Sequence, residues 1–145
     1  MKRVAFILFT LVLFSACTSE LDLEIKPNLT LKRVGPSTVV ALQDSIRFEI
    51  DYEDGDGDLG ENEPDVKNLF VLDNRIDLEY SYRIKSLVPG GDEVPIKGTL
   101  IFTLPNTIIT DGSTSQSVTY SIWVVDRAGH KSNTISAGPI TVVAP

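Results

Sequence analysis

The residues with the most pointed chemistry are three aspartates spaced by two, Asp54, Asp56 and Asp58, in the run Asp51-Tyr52-Glu53-Asp54-Gly55-Asp56-Gly57-Asp58-Leu59-Gly60. The glycines between them permit tightly curled backbone, which lets alternate side chains turn toward one point. Calcium takes about six to eight oxygen ligands at about 2.3–2.6 Å, and a curled Asp-x-Asp-x-Asp loop delivers several of them. An EF-hand would need glycine where Leu59 stands, glutamate where Asp65 stands, and flanking helices. The run therefore predicts a looser, structural calcium loop. Its bland rival is a solvated turn, since Asp and Gly are also ordinary turn residues. Leu59 is expected to fold back onto the core and pin the loop. If successive strands alternate in direction, Asp126 reaches the same end and is the fourth candidate ligand. Asp92 and Glu93 are expected at that end as well.

Other reactive groupings are sparse. His130 is the only histidine, so histidine-based zinc sites and Ser-His-Asp triads have little to build on. Its neighbours Gly129 and Lys131 place it on an exposed turn. No motif marks a pair of glycosidase carboxyls, and one small domain offers little cleft for them. Gly55-x-Gly57 and Gly90-Gly91 are turn glycines without the strand-to-helix setting of a phosphate loop. The chain is read as non-catalytic. Trp123 alternates with the apolar Val118, Tyr120, Ile122 and Val124, so it is expected on the outer face. There it is a possible ligand contact, stacking on a sugar or touching a protein, unless a loop or the tether covers it.

At the N-terminus, Met1-Lys2-Arg3 precedes the eleven-residue apolar run Val4–Phe14. A basic start and a run of that length fit a secretory signal peptide and fall short of the roughly 20 residues that span a bilayer. Leu13-Phe14-Ser15-Ala16-Cys17 then resembles a lipobox, although Phe14 departs from its usual aliphatic residue. The resemblance implies cleavage after residue 16 and acylation of Cys17, the only cysteine, so that the membrane is reached through an N-terminal lipid. Two or three buried acyl chains anchor a protein stably where one is marginal. Losing Lys2 and Arg3 with the leader takes the net charge from −7 to −9. Such a surface repels nucleic acid and favours divalent cations.

Residues 17–28 are polar and acidic and read as a tether. From Leu29 to residue 145 the hydrophobic period is two, not 3.6. Clean alternation marks strands around Ile46–Tyr52, Leu78–Ile84, Leu100–Leu104 and Val118–Val124. Less regular ones are expected at Leu29–Val34, Val66–Asp73 and Ile135–Val143. Turn residues punctuate them at Gly35-Pro36, Asp73-Asn74, Pro89-Gly90-Gly91, Pro105-Asn106, Asp111-Gly112 and Gly138-Pro139. About seven short strands at such spacing predict a single all-β domain, an immunoglobulin-like antiparallel sandwich, with a small closed barrel as the alternative.

The segment Tyr120-Ser-Ile-Trp-Val-Val-Asp126-Arg-Ala-Gly129-His-Lys-Ser132-Asn133 resembles the penultimate strand and hairpin of fibronectin type III and related immunoglobulin-like modules. That resemblance favours the sandwich and implies a tyrosine corner, with the Tyr120 hydroxyl bonded to nearby backbone. The whole chain also resembles small Bacteroidetes lipoproteins that combine an early Asp-Gly loop with a late Asp-Arg-Ala-Gly-His-x-Ser-Asn turn. Thr18 and the acidic residues behind it are similar to outer-membrane and surface-export signals. The function expected is that of an extracytoplasmic binding or accessory module with an unknown protein or glycan ligand. The alternative is a carbohydrate-binding accessory lipoprotein of a glycan-uptake system.

Overall fold

The computed structural model describes residues 23–88, 90 and 92–145. The leader, Cys17 and the first part of the tether lie outside the described residues, as do Pro89 and Gly91. Eight strands follow in order: β1 (Asn28–Gly35), β2 (Thr38–Val40), β3 (Ser45–Asp54), β4 (Leu69–Asp73), β5 (Leu78–Tyr82), β6 (Ile96–Pro105), β7 (Ser115–Val124) and β8 (Ile135–Val143). They form a three-stranded sheet, β1-β3-β6, and a five-stranded sheet, β2-β8-β7-β4-β5. All pairings are antiparallel except β2 with β8. Two separate sheets make this a β-sandwich-like all-β fold rather than a closed barrel.

The core follows from strand alternation. On β3, Ile46, Phe48, Ile50 and Tyr52 turn inward; on β7, Val118, Tyr120, Ile122 and Val124 do. Phe48 lies at the centre, stacked on Phe102 at 4.9 Å and edge-on to Tyr120 of the opposite sheet at 5.6 Å. Each large apolar side chain buried this way stabilises the fold by about 1.5–3 kcal/mol. A one-residue slip of either strand would expose its whole inward row, so register is strongly fixed.

Register also gathers one set of loops. Asn28 pairs with Glu53, Asp54 with Ile96, Leu69 with Val124 and Ile122 with Ile135. The start of β1 and the connections β3–β4, β5–β6 and β7–β8 therefore share one end, here called the acidic pole.

The structure differs from the sequence expectations in several places. The three-residue β2 is an additional strand, too short for an alternating signal, held by its parallel pairing to β8. β4 begins at Leu69 rather than Val66, because the Asn68 side chain takes over the pairing before it. Gly138-Pro139 is not a turn but lies within β8, where the β7–β8 register shifts between Val118 and Tyr120. Gly138 has φ +115°, and a Cβ there would sit 2.8 Å from the Val118 carbonyl oxygen. Finally, the buried Tyr120 hydroxyl meets the Thr107 side-chain oxygen at 3.2 Å, not backbone.

Candidate metal centre

Strand parity delivers the first ligand. Asp54 is the next inward position after Tyr52 on β3, and it is fully buried. Asp126 stands in the same relation to Val124 at the end of β7 and is also buried. Two carboxylates thus continue apolar rows into the acidic pole.

The loop after Asp54 then curls. Its glycines are needed for close approach: a Cβ on Gly55 would collide with the carbonyl oxygens of Leu23 and Glu24, and one on Gly57 with that of Val94. Gly57 also has φ +72°, which disfavours any other residue. Leu59 is fully buried and pins the loop, as its sequence position predicts. Its N–H donates to Asp54 Oδ2 at 2.8 Å, and the Ala128 N–H donates to Asp58 Oδ2 at 2.9 Å. Arg127 caps the arrangement by donating to the Gly60 carbonyl at 3.0 Å.

As a result, Asp54, Asp56 and Asp58 each offer one carboxylate oxygen within 4.8 Å of the others. Their Oδ1 atoms are buried and have no hydrogen-bond donor. In two of the three side chains, one oxygen is tied to backbone and the other is left bare. A buried acceptor without a donor is rare in folded proteins, and three together require an explanation.

Electrostatics sharpens the point. Two unit charges 4.8 Å apart at an effective dielectric constant of about 20 repel by about 3.5 kcal/mol. Even one such pair is a sizeable cost against the stability of a domain, typically about 5–15 kcal/mol. Arg127 offsets part of the charge at Asp58, and a proton or a bound cation would relieve the rest. Burial, joined by repulsion from Asp56, Asp58 and Asp126, pushes the Asp54 carboxyl up to about 6 against the opposing Leu59 N–H. Burial and Asp126 also raise Asp58. The donor set is oxygen only, which suits a hard cation. Opposite ligands of calcium stand about 4.6–5.2 Å apart, twice its bond length, which accommodates the observed spread.

Asp126 sits close enough to perturb both Asp54 and Asp58 but is not one of the three converging residues. Its Oδ1 accepts the His130 N–H at 2.7 Å, and its Oδ2 lies 3.0 Å from His130 Nδ1. His130 is thus half-buried against Asp126 rather than free on a turn, a pairing that composition gave no means to foresee. Asp92 and Glu93 are exposed. Their connection does reach the loop, but through the backbone of Val94.

Two asparagines hold the pole together by imitating a strand neighbour. Asn133 accepts from the Leu29 N–H at 2.7 Å and donates to the Leu29 carbonyl at 2.8 Å, joining the two sheets. Asn68 does the same for Ile84, at 2.6 and 3.2 Å. The tether is fastened here too, where the Gly55 N–H donates to the Glu24 carbonyl at 2.9 Å.

No family model, curated protein or solved structure matched the chain.

Trp123 does lie on the outer face, half-buried, stacked on Phe70 at 5.6 Å. Lys131 Nζ stands 4.2 Å from its ring centroid. Phe70 comes from β4 on one side of β7 and Lys131 from the β7–β8 connection on the other. The indole thus carries contacts from both neighbouring elements while staying partly exposed.

Proposed function

We propose that this chain is a lipid-anchored, extracytoplasmic, non-catalytic binding or accessory module of immunoglobulin-like type, whose acidic pole is braced by a structural calcium ion. The observation that carries the metal reading is the set of three buried Oδ1 atoms of Asp54, Asp56 and Asp58, convergent and without donors. The ion would neutralise the repulsion among them and fix the β3–β4 connection against the β7–β8 turn and the tether. An affinity on the order of 10⁻⁴–10⁻³ M would suit an extracellular module. Asp126 would act on the ion through its charge. The strand order supports the immunoglobulin-like assignment: β1 and β2 divide the first edge between the sheets, while β8, β7, β4 and β5 lie side by side. The lone cysteine behind a short apolar leader supports the anchor, and Thr18 with its acidic neighbours supports the outer membrane or cell surface. The lack of a nucleophile–base pair among the described residues supports binding over catalysis.

Isothermal titration of the chelator-treated domain with calcium tests the metal reading. Saturable binding lost in Asp56→Asn is expected, and an absence of binding at millimolar calcium would refute it. Radiolabelled palmitate should enter the wild-type protein in cells but not Cys17→Ser. Equal labelling would remove the anchor without touching the metal reading.

A further inference from the structure

A second concave site lies on the solvent face of the three-stranded sheet, toward the end of β1 far from the acidic pole. It is a cleft of about 640 Å³ lined by Arg33, Val34, Gly35, Pro36, Ser37, Ser45, Arg47 and Glu49. Register explains its shape. Arg33 pairs with Glu49 and Gly35 with Arg47, so the two arginines are diagonal neighbours on adjacent strands. Such neighbours lie about 7–8 Å apart, near enough for long side chains to meet over one group. Gly35 leaves a notch beside Arg47, and a Cβ built there meets nothing within 4 Å. The notch is therefore open space and not a tight backbone approach.

The charges are unusual for this chain. Its net charge is −7, yet two guanidinium groups share this cleft with a single carboxylate. Arg47 reaches Glu49 through Nε at 3.1 Å, and its Nη groups make no hydrogen bond among the described residues. Arg33 makes no ion pair among the described residues. Planar guanidinium forks match a carboxylate in geometry as well as in charge. Ser37 and Ser45 line the cleft beside them, and Pro36 supplies an apolar wall, whereas the Val34 side chain, opposite the buried Phe48, packs on the core.

From this juxtaposition we infer that the Arg33–Arg47 cleft is a binding site for a hydroxylated carboxylic acid of the size of a sugar acid. The guanidinium groups take the carboxylate, the serines take hydroxyls, and Pro36 covers the ring. The inference does not depend on the calcium reading. Arg33 stands five residues along β1 from Asn28 at the acidic pole, each advancing about 3.3 Å.

The test is a titration of the folded domain with glucuronate, followed by backbone amide shifts in NMR. Saturable shifts confined to Arg33–Ser37 and Ser45–Glu49 are expected. Arg33→Ala and Arg47→Ala should each weaken binding by about tenfold, and the corresponding lysine variants by less, since charge remains but the fork is lost. Gly35→Leu should fill the notch and abolish binding, with a melting temperature near that of the wild type. Glucose should leave the spectrum unchanged, and an equal response to glucose would overturn recognition of the carboxylate. Sulfate that binds as well as glucuronate would overturn the assignment of the hydroxy acid. The absence of any saturable shift at millimolar glucuronate would overturn the site.

Discussion

Replacing Asp54 by asparagine should stabilise the cation-free protein at neutral pH while abolishing its response to calcium. In the folded chain the Asp54 carboxyl is pushed up to about 6 from an ordinary 3.8. Each unit corresponds to about 1.36 kcal/mol, so keeping Asp54 ionised in the fold above pH 7 costs up to about 3 kcal/mol. Asparagine removes that charge yet can still accept the Leu59 N–H, and its amide can donate to the bare oxygens of Asp56 and Asp58. For a domain of this size each kcal/mol moves the melting point by about 3–5 °C. In chelator at pH 7.5 the variant should therefore melt about 5–15 °C above the wild type, with no further gain on adding calcium. The pH dependence follows from the same shift. The folded form holds the proton more tightly than the unfolded chain, so cation-free stability rises as pH falls from about 7 toward 4. Calcium should reverse that slope, because protons then compete with the ion. Thermal melts of both proteins at pH 7.5 and 5, with chelator or calcium, measure all of this. A variant that melts lower than the wild type in chelator at pH 7.5, or a wild type indifferent to pH there, would refute the reasoning.

Arg75→Ala should be among the most damaging single changes. Its guanidinium lies 2.6 Å from Asp73 Oδ2, with both side chains largely buried, so removal leaves an uncompensated carboxylate and costs about 3–5 kcal/mol. Urea unfolding should show the double variant Asp73→Ala/Arg75→Ala losing less; an equal or greater loss would contradict the pairing. Asn133→Ala deletes both bonds to Leu29 and should cost about 1–3 kcal/mol, with hydrogen exchange accelerating selectively at the start of β1. Uniform acceleration over the fold would argue against a local clamp. Gly57→Ala forces a Cβ against the Val94 carbonyl at φ +72°. Calorimetry should find calcium binding lost, while near-ultraviolet circular dichroism still reports a packed core.

The convergence of Asp54, Asp56 and Asp58 was legible from residue types and spacing, because glycines between aspartates let the backbone curl and turn alternate side chains toward one point. Alternation carried it further than spacing did. The row Ile46–Tyr52 already implies that Asp54 points inward, as Val118–Val124 does for Asp126. What stayed hidden depends on contacts between distant residues. Nothing local marks Asn133 as the partner of Leu29, 104 positions away, or Asn68 as the partner of Ile84. His130 carries no sign of its bond to Asp126 beyond standing four residues on, across a turn. β2 is too short to show a period, and Gly138-Pro139 reads as a turn because the same residues that end strands also build bulges. Arg75 and Asp73 resemble any charged hairpin until Tyr120, Gln116 and Ile108 close around them. The Arg33–Arg47 cleft required knowing which residues of β1 and β3 stand diagonal.

The fastening of Glu24 to Gly55 at the acidic pole has a geometric consequence for an anchored chain. Only five residues separate Cys17 from Leu23, a reach of at most about 20 Å at full extension. With Cys17 acylated, the module would stand on its carboxylates like a post on its foot, and the Arg33–Arg47 notch would look away from the lipid. A divalent ion in that foot would soften its repulsion from phospholipid headgroups, so withdrawing the ion would change how upright the module stands.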